Sequence, residues 1–382
     1  MTKQSTKKGH RMKYKTLSDG TKIPPIGFGT DLVPDGETII DAVTWAIETG
    51  YRLIDNADCY NNQDGVGIAI NNCITNGIVK REDLYITNKV PDWKQGYEET
   101  IKCCKESLKT SQLDYFDLYL VHSPLRGRNN WEEKIGETYQ AIIDLQKEGC
   151  IKSIGVSNFA LRHLTYLFTN FSKIRPVINQ IELHPEHQQR EIVDICQKSY
   201  IQLESWGALN QGRIFKNGIF INMANKYGKT PAQIAIRWNL QKGYIPLARS
   251  IKKEHIENNF KVFDFEISSE DMQILDNLDG GEWSMMHDDS LFNQTPVPAA
   301  VSTPNSYSQS YKMFGFLPFM KKYKKNRRIT KYYLFGIPIV KTDKKIIEIP
   351  KDKQTKTLAG VERERERERV IPLIRKNLRK VA

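Results

Sequence analysis

Four side chains with complementary proton chemistry stand at near-regular spacing. Asp55, Lys89 and His122 follow one another at intervals of 34 and 33 residues, and Tyr60 lies just beyond the first. A tyrosine, whose ordinary pKa is about 10, donates a proton more readily when a buried ammonium favours the phenolate left behind. Lys89 is the candidate ammonium, Asp55 the carboxylate that would keep it charged and oriented, and His122 a hydrogen-bond donor to a substrate oxygen. The set suits reduction of a carbonyl by hydride transfer, where the alkoxide formed must be protonated. Singly, each has a plainer reading: a buried Asp–Lys ion pair, a tyrosine at the core edge, a satisfied core histidine. Recurrence at one spacing favours the joint reading.

Such spacing needs a repeating scaffold, and from about Met12 the chain alternates short β-branched or aromatic runs with amphipathic helical stretches. Candidate strands are Gly27–Gly29, Tyr51–Asp55, Leu84–Lys89, Asp117–His122, Ile151–Val156, Val177–Glu182, Ile201–Trp206 and Tyr244–Pro246, with helical segments such as Glu37–Glu48, Glu98–Leu108 and Pro231–Leu240 between them. Eight βα units over about 270 residues predict an α/β chain folded as a closed (β/α)8 TIM barrel, with Asp55, Lys89 and His122 at strand ends around its C-terminal mouth. No G-x-G-x-x-G follows the first strand: Gly27-Phe28-Gly29 lacks the third glycine, and Gly65-Val66-Gly67 sits in a helical context. Met12–Pro24, with a turn at Ser18-Asp19-Gly20, reads as a β-hairpin placed to plug the lower end.

The barrel is expected over residues 12–280, after a disordered N-terminus at 1–11 and before a Ser/Pro/Asn/Gly-rich linker at 281–310. Residues 311–382 read as a basic, aromatic and partly disordered tail, unable to build a packed core and ending near the alternating Glu362–Arg369 run. The net charge of +12 belongs to this tail: residues 320–382 carry 21 Lys+Arg against 7 Asp+Glu, leaving 36 against 38 in residues 1–319. A nearly neutral body argues against nucleic acid as partner of the barrel. The tail, with Lys321–Arg328 followed by Tyr332-Tyr333-Leu334-Phe335, reads either as a solvated segment or as a contact for an anionic membrane surface. With no apolar run of about 18 residues and no apolar stretch behind the charged N-terminus, the expected location is cytoplasmic, or peripheral to the membrane's inner face. The six cysteines show neither paired metal-ligand spacing nor a disulfide framework, so no metal is expected.

Five motifs in fixed order, L-I-D-N-A-D-C-Y-N-N, I-T-N-K-V, D-L-Y-L-V-H-S-P, I-G-V-S-N-F and N-Q-I-E-L-H-P, resemble the aldo-keto reductases over about residues 12–280. The resemblance implies that Asp55, Tyr60, Lys89 and His122 are the catalytic four and that NADPH, or NADH, is the cofactor. It implies further that Ser157, Asn158 and Gln180 hold the nicotinamide carboxamide and that Trp206 stacks on the ring. The phrase E-S-W-G-A-L-N-Q-G is similar to the prokaryotic diketogluconate-reductase-like branch, in which tryptophan replaces the commoner tyrosine. Gly29, Thr30, Gly207, Leu209 and Gln211 complete the expected cofactor contacts on this side.

The cofactor's far end is expected at Ile245–Asn259, through Arg249, Ser250, Ile251, Lys252, His255, Asn258 and Asn259. Here the chain departs from the family pattern. Arg249 replaces the usual lysine, His255 the arginine that grips the 2′-phosphate, and Asn258 the glutamate. Arg249, Ser250 and Lys252 still suit a phosphate, while a neutral His255 predicts a reduced preference for NADPH over NADH. Three aromatic wall positions carry Asp31, Pro91 and Ser123, so a small polar carbonyl, a keto-sugar for instance, is the expected substrate, met by Asp31, Trp93, His122 and Ser123.

His163 and His187 read as surface residues and His184 as structural. Cys59 reads as pocket wall, because no histidine or second cysteine stands near it in sequence to lower its pKa. A rival function of another class, a cofactor-binding regulator or scaffold on the same barrel, is disfavoured by the intact set of four.

Overall fold

The computed structural model describes residues 13–124 and 130–281, and five C-terminal strands at 308–311, 320–324, 330–334, 337–342 and 345–348. The chain divides into two units, residues 1–299 and 300–382.

In the first unit, β1 (Lys15–Thr16) and β2 (Lys22–Ile23) form the expected hairpin. Eight parallel strands then close into a barrel: β3 (Gly27–Gly29), β4 (Leu53–Asp55), β5 (Tyr85–Val90), β6 (Phe116–Val121), β7 (Ile151–Ser157), β8 (Ile178–Glu182), β9 (Gln202–Trp206) and β10 (Ile245–Ala248), with β10 pairing back to β3. The fold predicted from the alternation is therefore the one observed, with strand edges shifted by one or two residues. Among the described residues ten helices surround it: α1 (Glu37–Thr49), α2 (Gln63–Thr75), α3 (Tyr97–Ser111), α4 (Trp131–Lys147), α5 (Leu161–Asn170), α6 (Arg190–Lys198), α7 (Gly218–Tyr227), α8 (Pro231–Gln241), α9 (Lys253–Phe260) and α10 (Ser269–Asp276).

Helical periodicity explains the outer layer. In α1 the buried residues are Ile39, Ala42, Val43, Ala46 and Ile47, one stripe at spacings of three and four, and the helix stops at Gly50 with φ of 120°. Helix α8 begins with Thr230 accepting from the Gln233 amide while the Gln233 side chain accepts from the Thr230 amide, and Pro231 opens the first turn. The stripes and the outward faces of the strands make one large core; a second, smaller core fills the lower barrel with Leu53, Tyr85, Leu118, Leu120, Ile178 and Leu247.

The hairpin plugs that lower end. Leu17 and Ile23 belong to the same small core, and the turn is tied to the barrel wall by Ser153 Oγ donating to Asp19 Oδ2 at 2.7 Å. Among the described residues no helix is long and apolar enough to cross a membrane.

The second unit holds a five-stranded antiparallel meander: β11 (Ser308–Tyr311), β12 (Met320–Lys324), β13 (Thr330–Leu334), β14 (Ile337–Thr342) and β15 (Lys345–Glu348). Its registers place Tyr332 opposite Ile339 and Val340 opposite Ile347. Strand β11 starts inside the stretch read as linker, and β12 to β15 lie within the stretch read as a partly disordered tail. The N-terminal stretch at 1–11 and the Glu362–Arg369 run lie outside the described residues.

The lower core leaves no room at β3. A Cβ on Gly27 would come within 2.5 Å of Leu247 Cδ2 and 2.7 Å of Leu53 Cγ. Gly27→Ala should therefore destabilise the barrel by about 1–3 kcal/mol, the usual cost of overpacking, read as a lower urea midpoint with unchanged slope; an unchanged midpoint would show that the leucines move aside freely.

Candidate active site

Side chains alternate along each barrel strand, so the residue two beyond a floor residue points into the same interior one layer higher. Above Leu53 on β4 stands Asp55; above Tyr85 and Thr87 on β5 stands Lys89. Lys89 is completely buried. An ammonium has three protons to give, and this one gives all three: to Asp55 Oδ2 at 2.8 Å, to the Asn56 carbonyl at 3.1 Å and to the Tyr60 hydroxyl oxygen at 2.9 Å. Because the phenol oxygen accepts from Lys89, its own O–H is left to donate elsewhere. Tyr60 sits on a short 3-10 turn, Asp58–Tyr60, directly after β4, and its ring meets the His122 ring edge-on at 5.7 Å between centroids. The four residues placed together by spacing are thus together in space.

A polar row continues round the mouth. Gln180 on β8 donates from Nε2 to Asp55 Oδ1 at 2.8 Å and to Glu204 Oε2 at 2.9 Å. Ser157 Oγ donates to the Gln180 carbonyl at 2.8 Å. Asn158, held at φ of 61°, donates from Nδ2 to the His122 carbonyl at 3.0 Å and to Ser157 Oγ at 3.1 Å, and its Oδ1 accepts from Trp206 Nε1 at 2.8 Å. Thr30, after Gly29 on β3, donates from Oγ1 to the Asp55 carbonyl at 2.9 Å. Ser157, Asn158, Gln180 and a half-buried Trp206 ring therefore form one connected wall beside Tyr60 and Lys89, a donor and acceptor set that fits a carboxamide with an aromatic ring.

Electrostatics sharpen the arrangement. Tyr60 is held well above the usual tyrosine value, first by burial and then by the Asp55 and Asp31 carboxylates, so the resting group is a neutral phenol. Lys89, the ammonium expected to favour the phenolate, already donates to the phenol oxygen in this resting state. Asp31 is itself raised, chiefly by burial, against the opposing pull of Lys89 and Arg249. Cys59 Sγ lies 3.3 Å from His122 Nδ1, so folding brings the histidine that sequence distance had set apart. Burial nonetheless pushes this thiol up to about 12, which keeps it a wall residue rather than a nucleophile.

The expected far end of the cofactor site is placed as a strand-to-helix turn. Arg249, Ser250, Ile251 and Lys252 run from β10 to the start of α9, and Ser250 Oγ accepts from the Lys252 amide at 3.1 Å. A helix N-terminus flanked by two cations and a hydroxyl fits a phosphate. Arg249, Ile251, Lys252 and His255 are exposed, Asn258 is half-buried and Asn259 buried. Gly207, Leu209 and Gln211 follow β9, and Gln211 joins Asn210 and Gly212 in a run of positive φ values, 45°, 50° and 82°. On the substrate side, Asp31 is half-exposed and Trp93 exposed, whereas Ser123 is buried with its hydroxyl donating to Asp92 Oδ1 at 2.8 Å. A separate surface hollow of about 550 Å³, lined by Asp58, Asp64, Lys94, Glu106 and Lys109 among others, contains none of the four.

Two histidines are not where polarity suggested. His163 is fully buried, edge-on to Trp131 and Phe159, with Nδ1 accepting from the Ala160 amide, and burial drops its pKa to about 3. It belongs to the inward stripe of α5 with Leu164 and Leu167, a periodicity that outweighs its polar character. His187 is buried as well, facing His184, which accepts or donates at 3.0 Å to Glu182. The sequence reading also passed over Glu204, although it stands two residues before Trp206 and so on the same face of β9. Buried, with Asp55 nearby, its carboxyl rises to about 8.

The sequence profile described as "Aldo/keto reductase family" matches residues 25–279. Glyoxal reductase of Bacillus subtilis (strain 168) is 41% identical over 266 residues, covering 70% of this chain and 92% of its own. Methylglyoxal reductase DkgA of Escherichia coli (strain K12) is 41% identical over 268 residues, 70% of this chain and 93% of its own. Among solved structures, an aldo-keto reductase of Bombyx mori in complex with NADP is 33% identical with a TM-score of 0.67, covering 72% of this chain and 96% of that one. With its closed barrel, its four clustered residues and these matches, the chain belongs to the aldo/keto reductase family.

Proposed function

We propose that this barrel uses NADPH to reduce a small polar carbonyl, an α-dicarbonyl or keto-sugar, to the alcohol, with Tyr60 as proton donor. The observation that carries the reading is the single Lys89 ammonium bound at once to Asp55 and to the Tyr60 hydroxyl oxygen. Bound NADPH supplies the hydride. The chain's own groups do the rest. Tyr60 gives its outward O–H proton to the substrate oxygen as negative charge grows there, and Lys89, already donating to the phenol oxygen, stabilises the phenolate that forms. Asp55 keeps the ammonium in place. His122 stands beside Tyr60 to donate to the same substrate oxygen, and Cys59, a thiol at neutral pH, faces its Nδ1.

Ser157, Asn158 and Gln180 would hold the carboxamide, with Trp206 under the ring and Gly29, Thr30, Gly207, Leu209 and Gln211 about them. Arg249, Ser250, Ile251 and Lys252 would hold the 2′-phosphate, aided by His255, Asn258 and Asn259. Support for a small polar substrate comes from the half-exposed Asp31 and from relatives named for glyoxal and methylglyoxal. A role as regulator or scaffold would leave the fully satisfied Lys89 without a task. For residues 311–382 the reading is contact with an anionic membrane surface, on their positive surplus alone.

Tyr60→Phe should lower kcat by about 10²–10⁴, the usual worth of a general acid, while NADPH binding, followed by fluorescence, stays within twofold; retained turnover would remove Tyr60 from the reaction. His255→Arg should widen the NADPH-over-NADH preference about tenfold through an added charge-assisted contact, measured as the ratio of dissociation constants; an unchanged ratio would place residue 255 away from the 2′-phosphate. The full chain should sediment with vesicles rich in anionic lipid at low salt and be released at high salt; equal sedimentation with neutral vesicles would contradict the membrane reading.

A further inference from the structure

Glu204 is a buried acid to which the reaction so far gives no task. It lies on β9 beneath Trp206, and its Oε2 accepts one N–H of the Gln180 amide at 2.9 Å while Asp55 Oδ1 accepts from the same nitrogen at 2.8 Å. An amide nitrogen carries two hydrogens, so both are spent on carboxyl oxygens. The amide's oxygen then faces away from them.

We propose that Glu204 is a positioning residue for the reduction: with Asp55 it pins the Gln180 amide by both N–H bonds, leaving the amide oxygen to accept from the nicotinamide carboxamide. The inference rests on the reductase reading and adds a constraint to it. A glutamine amide can turn end for end at little cost unless its partners distinguish oxygen from nitrogen. With the Asp55 carboxylate beneath it, which can only accept, the observed orientation is the satisfied one: the other would set the amide oxygen against that carboxylate and strand the N–H bonds, and Glu204 Oε2 takes the second N–H.

Glu204 also sets the charge of this layer. The ionisable groups around it are Asp55 from β4 and Lys89 and Tyr85 from β5; β8 brings Gln180, and Glu182 further along it is engaged with His184. The neighbouring β10 contributes Ile245 and Leu247. Asp55 and Lys89 offset one another, and Glu204 Oε1 has no hydrogen-bond partner among the described residues. Burial first and Asp55 second hold the carboxyl neutral up to about pH 8. Ionising it puts a second negative charge in the layer that supports Lys89, which opposes formation of the Tyr60 phenolate. Reduction should therefore weaken as pH rises through that value.

Full-length wild type, Glu204→Gln and Glu204→Leu are compared in three measurements: NADPH dissociation constants by fluorescence, kcat/KM across the pH range around 8, and infrared difference titration of the ligand-free proteins. The expected result is a carboxylic-acid band that disappears near pH 8 in wild type and is missing from Glu204→Gln, with an alkaline fall in kcat/KM that is lost in the same variant. Glu204→Gln keeps an oxygen acceptor for Gln180 and should bind NADPH within about twofold of wild type, whereas Glu204→Leu frees the amide and should bind about tenfold more weakly. An infrared band and pH profile unchanged in Glu204→Gln, or NADPH affinity unchanged in Glu204→Leu, overturns the proposal. A wild type that neither binds NADPH nor turns over overturns it together with the reductase reading, a pattern distinct from failure of the inference alone.

Discussion

A charged ammonium in the middle of a dry barrel organises this protein. Removing Lys89 from water costs several kcal/mol even after relaxation, and that cost is tolerated only because every proton it carries meets an oxygen. The requirement propagates outward. Asp55 meets the ammonium with one oxygen and Gln180 with the other; Gln180 gives its second N–H to Glu204 beneath it; and Ser157 holds the Gln180 backbone. The phenol oxygen of Tyr60 completes the ammonium's shell and so leaves its own O–H to donate elsewhere. Chemistry and internal satisfaction are here the same set of hydrogen bonds.

The apolar floor makes this possible. The period of two along each strand puts Leu53 under Asp55, Tyr85 and Thr87 under Lys89 and Ile178 under Gln180, so each strand passes from hydrocarbon to polar within one or two steps. The hairpin residues Leu17 and Ile23 add to the apolar core at the lower end, beneath the charged layer. A low local dielectric strengthens the hydrogen bonds above it and raises the buried acids and phenols toward their neutral forms.

Much of this was legible in the chain. Eight alternating units gave the closed barrel, and the intervals between Asp55, Lys89 and His122 gave their shared location, because a repeat of fixed length converts sequence spacing into position around a ring. What spacing does not carry is contact across the ring. Gln180 reaches Asp55 over a separation of 125 residues, and Cys59 reaches His122 over 63. His163 and His187 were misplaced because polarity was weighed above the helical stripe and the local packing that bury them. Glu204 was passed over for the opposite reason: its parity with Trp206 on β9 was visible, but a lone glutamate in a strand carries no sign that its partners will be Gln180 and Asp55.

The closure of the barrel has a further meaning for the life of the chain. The ring is completed by β10, where Leu247 pairs with Gly27 and Ala248 with Phe28. Asp55, Tyr60 and Lys89 are made early in synthesis, yet the groups that brace them, Gln180 and Glu204, come from the other half. A nascent chain that has passed residue 122 already contains Asp55, Tyr60, Lys89 and His122 but not the closed ring that brings Gln180 and Glu204 to them. The reductase site is therefore a property of the closed circle rather than of any segment, and turnover reports that the last strand has joined the first.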